Sequence, residues 1–258
     1  MHKSLTDCDT TTDQFLGGSL SLRQPRKGHR SGTDAILLAA APPPDFSGHA
    51  LDLGAGVGAA GLALALKRPA LTIGLVEIDE AAAQLAAENL RTNRIDDRGM
   101  VHHADLLSLS SRRGANLLNG AADLVITNPP YYDPARSRMP ENAARRQAAM
   151  MEESGPRPLE RWIVASLSLL APHGLFFMIH RPEMLATILG ACSGRAGAIT
   201  ILPVHSGANS YAKRILIRAR KGSRAPFSIA PPLILQNEGH FTEIADAIHR
   251  GEAFIPWP

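Results

Sequence analysis

The chain has 258 residues, 45% of them hydrophobic, with 27 basic and 24 acidic side chains and a net charge of +3. That balance excludes a disordered or fibrous protein, and the absence of a signal-like N-terminus or a run of about 18 apolar residues leads us to expect a cytoplasmic protein without a membrane segment. The two cysteines, Cys8 and Cys192, lie far apart with no CxxC, so neither a disulfide framework nor a metal site is expected.

Residues 1–14 are rich in Thr and Asp and read as a flexible tail. Residues 15–48 read as a short hairpin over Phe15–Leu22 followed by a helix over Asp34–Ala41, which Pro42-Pro43-Pro44 stops. From residue 49 to 225, apolar strands alternate with helical patterns, as in a mostly parallel sheet covered by helices on both faces. The strands expected are Ala50–Leu53, Leu71–Glu77, Gly99–His103, Asp123–Thr127, Leu175–His180, Ala198–Pro203 and Lys213–Ala219, which makes a seven-stranded α/β domain. Helices fit at Gly58–Lys67, Glu80–Asn93, Leu159–Leu170 and Pro182–Ala191. Residues 226–258 read as an extension packed on the sheet, with a strand at Pro232–Gln236 and a helix at Thr242–Arg250.

Leu51-Asp52-Leu53-Gly54-Ala55-Gly56-Val57-Gly58 places glycines where a strand turns into a helix, so a ligand can approach backbone amides. Gly56–Gly61 also fits G-x-G-x-x-G, with Glu77 about twenty residues later, as a dinucleotide site requires. In such a site the first glycine directly follows the strand; here that place belongs to Gly54, and Asp52 would face a pyrophosphate badly but suits a cationic amino-acid ligand. The segment resembles the first motif of class I S-adenosylmethionine methyltransferases, which have a Rossmann-like fold. That resemblance implies S-adenosylmethionine as cofactor, with Asp52, Gly54, Ala55, Gly56 and Gly58 around it. It also implies that Glu77 and Ile78 lie at the ribose and base, and Asp105 and Leu106 at the adenine. Taken alone, Asp105 reads equally as a helix N-cap.

Asp123-Leu124-Val125-Ile126-Thr127-Asn128-Pro129-Pro130-Tyr131 puts an amide, two prolines and an aromatic ring beyond the fourth strand. The prolines stiffen the turn and contribute no N–H, so carbonyls there can be aimed at a ligand with little ordering entropy lost. In the methyltransferases this resembles, Asn128 and Pro129 accept from a planar amino group, Pro130 stiffens the loop, and Tyr131 stacks on the acceptor. Adenine N6, cytosine N4 and a glutamine amide all fit such a motif. The release-factor glutamine methyltransferases share it but carry a helical N-terminal domain, whereas fewer than fifty-two residues precede Asp52 here.

The run from Gln24 through Arg30, Thr33 and Asp34 to Ala40 resembles the opening of the bacterial tRNA (adenine-N6)-methyltransferases that modify valine tRNA beside the anticodon. With the cofactor motifs and Ala212–Gly222, the resemblance spans about residues 15–225. It implies RNA, a tRNA, as partner, bound by a monomer or homodimer. It further implies a flap of Lys27, Arg30, Thr33 and Asp34 closing over cofactor and target base, with Lys27 and Thr33 at the cofactor and Arg26 and Arg30 at the RNA. Arg136 and Arg138, in the long segment after Tyr131, are further RNA candidates, as are Lys213 and Arg214. The last two sit in a stretch, Arg195–Arg224, with seven basic residues and no acid. The same run also reads as the charged protection of a sheet edge.

Overall fold

The structure is a computed structural model that describes residues 9–27, 30–130 and 158–258. Among the described residues ten strands form one sheet, and two more form a separate hairpin. The hairpin pairs β1 (Thr10–Phe15) with β2 (Leu20–Pro25), Thr10 lying opposite Pro25. It therefore begins inside the segment expected to be a loose tail. The pairing is held by polar side chains that leave no trace in apolar periodicity: Asp13 accepts from Gln24 at 3.0 Å and from Arg30, and Arg23 donates to Thr10 at 3.0 Å.

The main sheet contains all seven expected strands. They are β3 (Gly48–Leu53), β4 (Leu71–Glu77), β5 (Gly99–His103), β6 (Ala122–Thr127), β7 (Leu170–His180), β8 (Ala196–Gly207) and β9 (Ala212–Lys221). Short strands β10 (Ser228–Ile229), β11 (Leu233–Asn237) and β12 (His240–Phe241) add to the β8 edge, so the sheet has ten strands rather than seven. The order is β12-β11-β8-β9-β7-β6-β3-β4-β5, with β10 also on β8. β3, β4, β5, β6 and β7 run parallel; β9 is antiparallel to both its neighbours. The order in which strands are laid down reverses between β3 and β6, the switch point at which open α/β sheets receive ligands.

Alternation along the strands builds a core on each face. Leu124 and Ile126 of β6 with Phe177 and Ile179 of β7 pack on one face, beside α1 (Thr33–Ala40) and α2 (Ala59–Leu66). Val125, Phe176 and Met178 pack on the other, under α5 (Pro158–Leu169) and α6 (Leu185–Cys192). α3 (Glu80–Thr92) follows β4, and α4 (Leu109–Gly114), a helix not anticipated, is capped by Ser108, whose hydroxyl accepts from Ser111 N–H at 3.3 Å. Among the described residues no helix is long and apolar enough to cross a membrane.

Two asparagines fasten the hairpin to the domain. Asn93 accepts from Ser21 N–H at 2.9 Å and donates to Ser21 O at 2.8 Å; Asn89 does the same with Arg23 and also donates to Val57 O at 3.0 Å. One turn apart, Asn89 within α3 and Asn93 at its C-cap, they satisfy a strand edge that would otherwise be an unpaired template. The C-terminal end returns across α1, where Ile255 N–H donates to Ala40 O and Trp257 Nε1–H to Ala41 O, the latter at 2.7 Å. These bonds satisfy carbonyls at the end of α1 that have no partner within the helix. α7 (Glu243–His249) reaches the other end of α1, where the His249 ring meets the Thr33 hydroxyl at 3.3 Å.

Candidate active site

β5, β4, β3 and β6 are neighbours, so the loops that leave their carboxyl ends line one edge of the sheet. Gly54, Gly56 and Gly58 after β3 all have φ between +57° and +90°, a region open to glycine at little steric cost. A methyl group on Gly56 would meet no atom within 4 Å, so open space lies over the loop at that point. At Gly54 the same methyl would lie 3.1 Å from the Trp162 ring, and at Gly58 against Leu75 and Leu62. Ala55 is buried, its N–H donating to Val76 O at 3.0 Å.

The acids divide by burial. Asp52 is 2% exposed, and its carboxylate accepts from Gly61 N–H at 2.8 Å, which fixes the first turn of α2. Burial pushes the Asp52 carboxyl up to about 7 against the pull of that amide, and the Glu77 charge adds to the rise. Glu77 accepts from Gly56 N–H at 2.7 Å on one oxygen, and from Ile78 and Asp79 N–H, both at 2.8 Å, on the other. It thereby joins the glycine loop to the β4 turn. Ile78 is 62% exposed beside it, an apolar surface held in place by His103 Nε2 on Ile78 O at 3.0 Å.

Asp105 caps no helix, since Ser108 has that role; its side chain accepts from Leu107 N–H at 2.8 Å and shapes the loop after β5. Leu106 is buried beneath it. After β6, Thr127 Oγ donates to Leu53 O at 2.8 Å and accepts from Trp162 Nε1–H at 3.0 Å. The indole thus links the β6 end to α5 while its ring covers Gly54. Sequence reasoning missed Trp162, because the glycine that admits the ring is over a hundred residues away.

Asn128 follows directly. Its Oδ1 is shielded from solvent and accepts no hydrogen bond among the described residues. Pro129 is buried and Pro130 exposed. An acceptor kept dry and unpaired at the switch point is the feature of this edge that most calls for a ligand.

Of the other expected residues, Arg26 and Lys27 are exposed on the chain leaving β2, and Arg30 pairs with Asp13. Thr33 opens α1, and Arg214 pairs with Asp34 at 2.7 Å, tying that helix to β9. Lys213 is exposed. Tyr131, Arg136 and Arg138 lie outside the described residues.

Residues 29–181 match the family model described as Methyltransferase small domain. The chain belongs to that family. A curated relative from Porphyromonas gingivalis, a tRNA1(Val) (adenine(37)-N6)-methyltransferase, is 31% identical over 228 residues, covering 84% of this chain and 86% of its own. One of the same name from Proteus mirabilis is 28% identical, covering 82% of each. Among solved structures, an Agrobacterium tumefaciens protein described as a predicted O-methyltransferase superposes with a TM-score of 0.72 at 30% identity, over 86% of this chain and 97% of that one. A Thermus thermophilus 16S rRNA N2 G1207 methyltransferase in complex with AdoMet and guanosine shares the fold, with a TM-score of 0.56 at 19% identity, over 82% and 50%. The sheet is the Rossmann-like sheet of class I methyltransferases, and S-adenosylmethionine is the cofactor.

Proposed function

We propose that the chain transfers the methyl group of S-adenosylmethionine to the exocyclic N6 of an adenosine in tRNA, the position being adenosine 37 of a valine tRNA as in the names of its relatives. The observation that carries this reading is the buried Asn128 Oδ1, which has no partner among the described residues. A primary amino group brings two hydrogens. Asn128 Oδ1 accepts one and the Pro129 carbonyl the other, which turns the nitrogen lone pair out of conjugation and toward the methyl donor. The cofactor supplies an electrophilic methyl on a sulfonium. What the chain supplies is position and electrostatics: a stiff Pro129-Pro130 turn, a hydrogen held at Asn128 Oδ1, and Tyr131 against the flat face of the acceptor.

The cofactor residues follow from the same edge. Gly54, Ala55, Gly56 and Gly58 form the loop over which the cofactor lies, with open space above Gly56, Glu77 receives the ribose hydroxyls, and Ile78 and Leu106 hold the adenine whose amino group Asp105 accepts. Asp52 acts on the charged amino-acid end. Lys27 and Thr33 close over the cofactor, with Arg26, Arg30, Arg136, Arg138 and Lys213 as RNA contacts, while Arg214, paired with Asp34, ties α1 to β9.

The name of the Agrobacterium neighbour raises a hydroxyl acceptor as a second reading. A hydroxyl carries one hydrogen and leaves one of two paired acceptors unused. The test is transfer of labelled methyl to unmodified tRNA, followed by digestion to nucleosides. N6-methyladenosine supports the proposal; a ribose- or protein-bound label overturns the acceptor while retaining the cofactor.

A further inference from the structure

β8 and β9 continue past the strand beside them. β7 ends at His180 opposite Ile215, whereas β9 begins at Ala212 and β8 runs to Gly207. Because β9 is antiparallel to both β7 and β8, the turn joining β8 to β9 stands at the carboxyl edge, the edge that carries the glycine loop and Asn128. Thr127 pairs with Met178 and Met178 with Ile217, so Tyr211 lies about six positions beyond that row, on the order of 20 Å along the strand direction.

Tyr211 is 96% exposed, against 44–64% for the other exposed large hydrophobic residues described. The residue before it is tied into the turn nonetheless. Ser210 N–H donates to Gly207 O at 3.1 Å, Ser210 Oγ contacts Gly207 N at 3.1 Å and O at 2.8 Å, and His205 Nδ1 lies 2.6 Å from Ser210 O. A ring on a fixed turn, with only two side-chain torsions to freeze, can be covered at small entropic cost. Lys213, two residues on, is also exposed, and no acid occurs between Arg195 and Arg224.

We propose that Tyr211 is a stacking platform for an unpaired base of the RNA outside the target pocket, with Lys213 on an adjoining phosphate. This rests on the RNA reading above and adds a second point of grip that would set the angle at which the target loop enters. A polyanion with unpaired bases matches an exposed aromatic ring and an exposed cation two residues apart in the chain.

The test uses the full chain and an unmodified valine tRNA transcript. Tyr211→Ala is expected to raise the Kd for tRNA roughly 5- to 100-fold, the range that loss of one base stack gives. Tyr211→Phe and Tyr211→Trp should restore binding and Tyr211→Leu should not, since bulk alone cannot stack. Cofactor affinity should stay unchanged in all four. Lys213→Ala should lower the slope of log K against log salt by about one, while Tyr211→Ala leaves it unaltered. If the wild-type chain binds and methylates the transcript and Tyr211→Ala equals it, the stacking role is overturned alone. A wild-type chain that neither binds nor methylates RNA overturns the substrate reading first. Unaltered tRNA affinity with a changed sedimentation mass would make Tyr211 a contact between protein copies, and also overturns the proposal.

Discussion

Asn128 keeps a shielded carbonyl oxygen without a donor among the described residues, and an unsatisfied buried acceptor costs about 1–3 kcal/mol. Stability and activity should therefore separate there. Asn128→Ala is expected to melt no earlier than wild type, while single-turnover transfer falls at least about 100-fold, as when one oriented polar group is removed from an active site. Cofactor Kd, read by calorimetry, should be nearly constant; a variant with full transfer would leave the asparagine without its proposed role. Asp52 gives a second residue-scale prediction. With its carboxyl pushed up to about 7, it is partly protonated near neutrality. A cation held over the loop lowers that pKa and expels the proton, so S-adenosylmethionine affinity should rise as pH climbs through about 7 and then level off. At pH 7 the binding enthalpy should depend on the ionisation enthalpy of the buffer, and Asp52→Asn should abolish the dependence; equal enthalpies in every buffer for the wild type would refute it. The glycines and the Asn-Pro-Pro run could be read in the sequence because their chemistry is local. Trp162 over Gly54 could not, because that contact exists only once α5 lies across the β3 loop.

The same division holds for whole elements. β3, β4, β6 and β7 are apolar runs buried on two faces, and such runs announce themselves. The start of β1 at Thr10 rests instead on Asp13, Arg23, Gln24 and Arg30, and the seat of β2 rests on Asn89 and Asn93, none of which carries a hydrophobic period. α4 is a helix of six residues, too short for periodicity to register. The C-terminal return could be placed on the sheet from sequence, but not its task of closing α1. Trp257 lies 6.0 Å from Phe177 between ring centroids, under the Arg218 guanidinium, with its indole N–H on Ala41 O. Trp257→Ala should cost about 2–4 kcal/mol by lost packing and by uncovering that carbonyl, below the full cost of a buried tryptophan because the ring is partly exposed. Urea unfolding checks this, and a loss under about 0.5 kcal/mol would show that the tail rests on α1 without supporting it.

At the scale of the molecule, the acid-free basic stretch that reads from sequence as one phosphate surface is divided by the fold. Lys221 Nζ donates to Leu170 O at 2.5 Å, just past the end of α5; Arg195 holds Ala191 and Ser193 carbonyls; Arg218 lies on Trp257; and Arg214 pairs with Asp34. Lys213, Arg220 and Arg224 remain exposed, but not together. Arg220 pairs with Leu175 near the start of the apolar run of β7, and Arg224 follows β9, so both stand at the end of the sheet opposite Asn128. Strand direction, which composition does not carry, thus decides which charges can meet a bound RNA. Screening confines each cation to about 8–10 Å at ordinary ionic strength. The double variant Arg220→Ala/Arg224→Ala should therefore leave both the tRNA Kd and its salt slope within error of wild type, while Lys213→Ala shifts the slope by about one. Filter binding from 50 to 200 mM salt measures both. A slope that falls by two in the double variant would mean that RNA wraps the amino edge of the sheet, and the substrate path would then have to run around β9 rather than across the carboxyl edge.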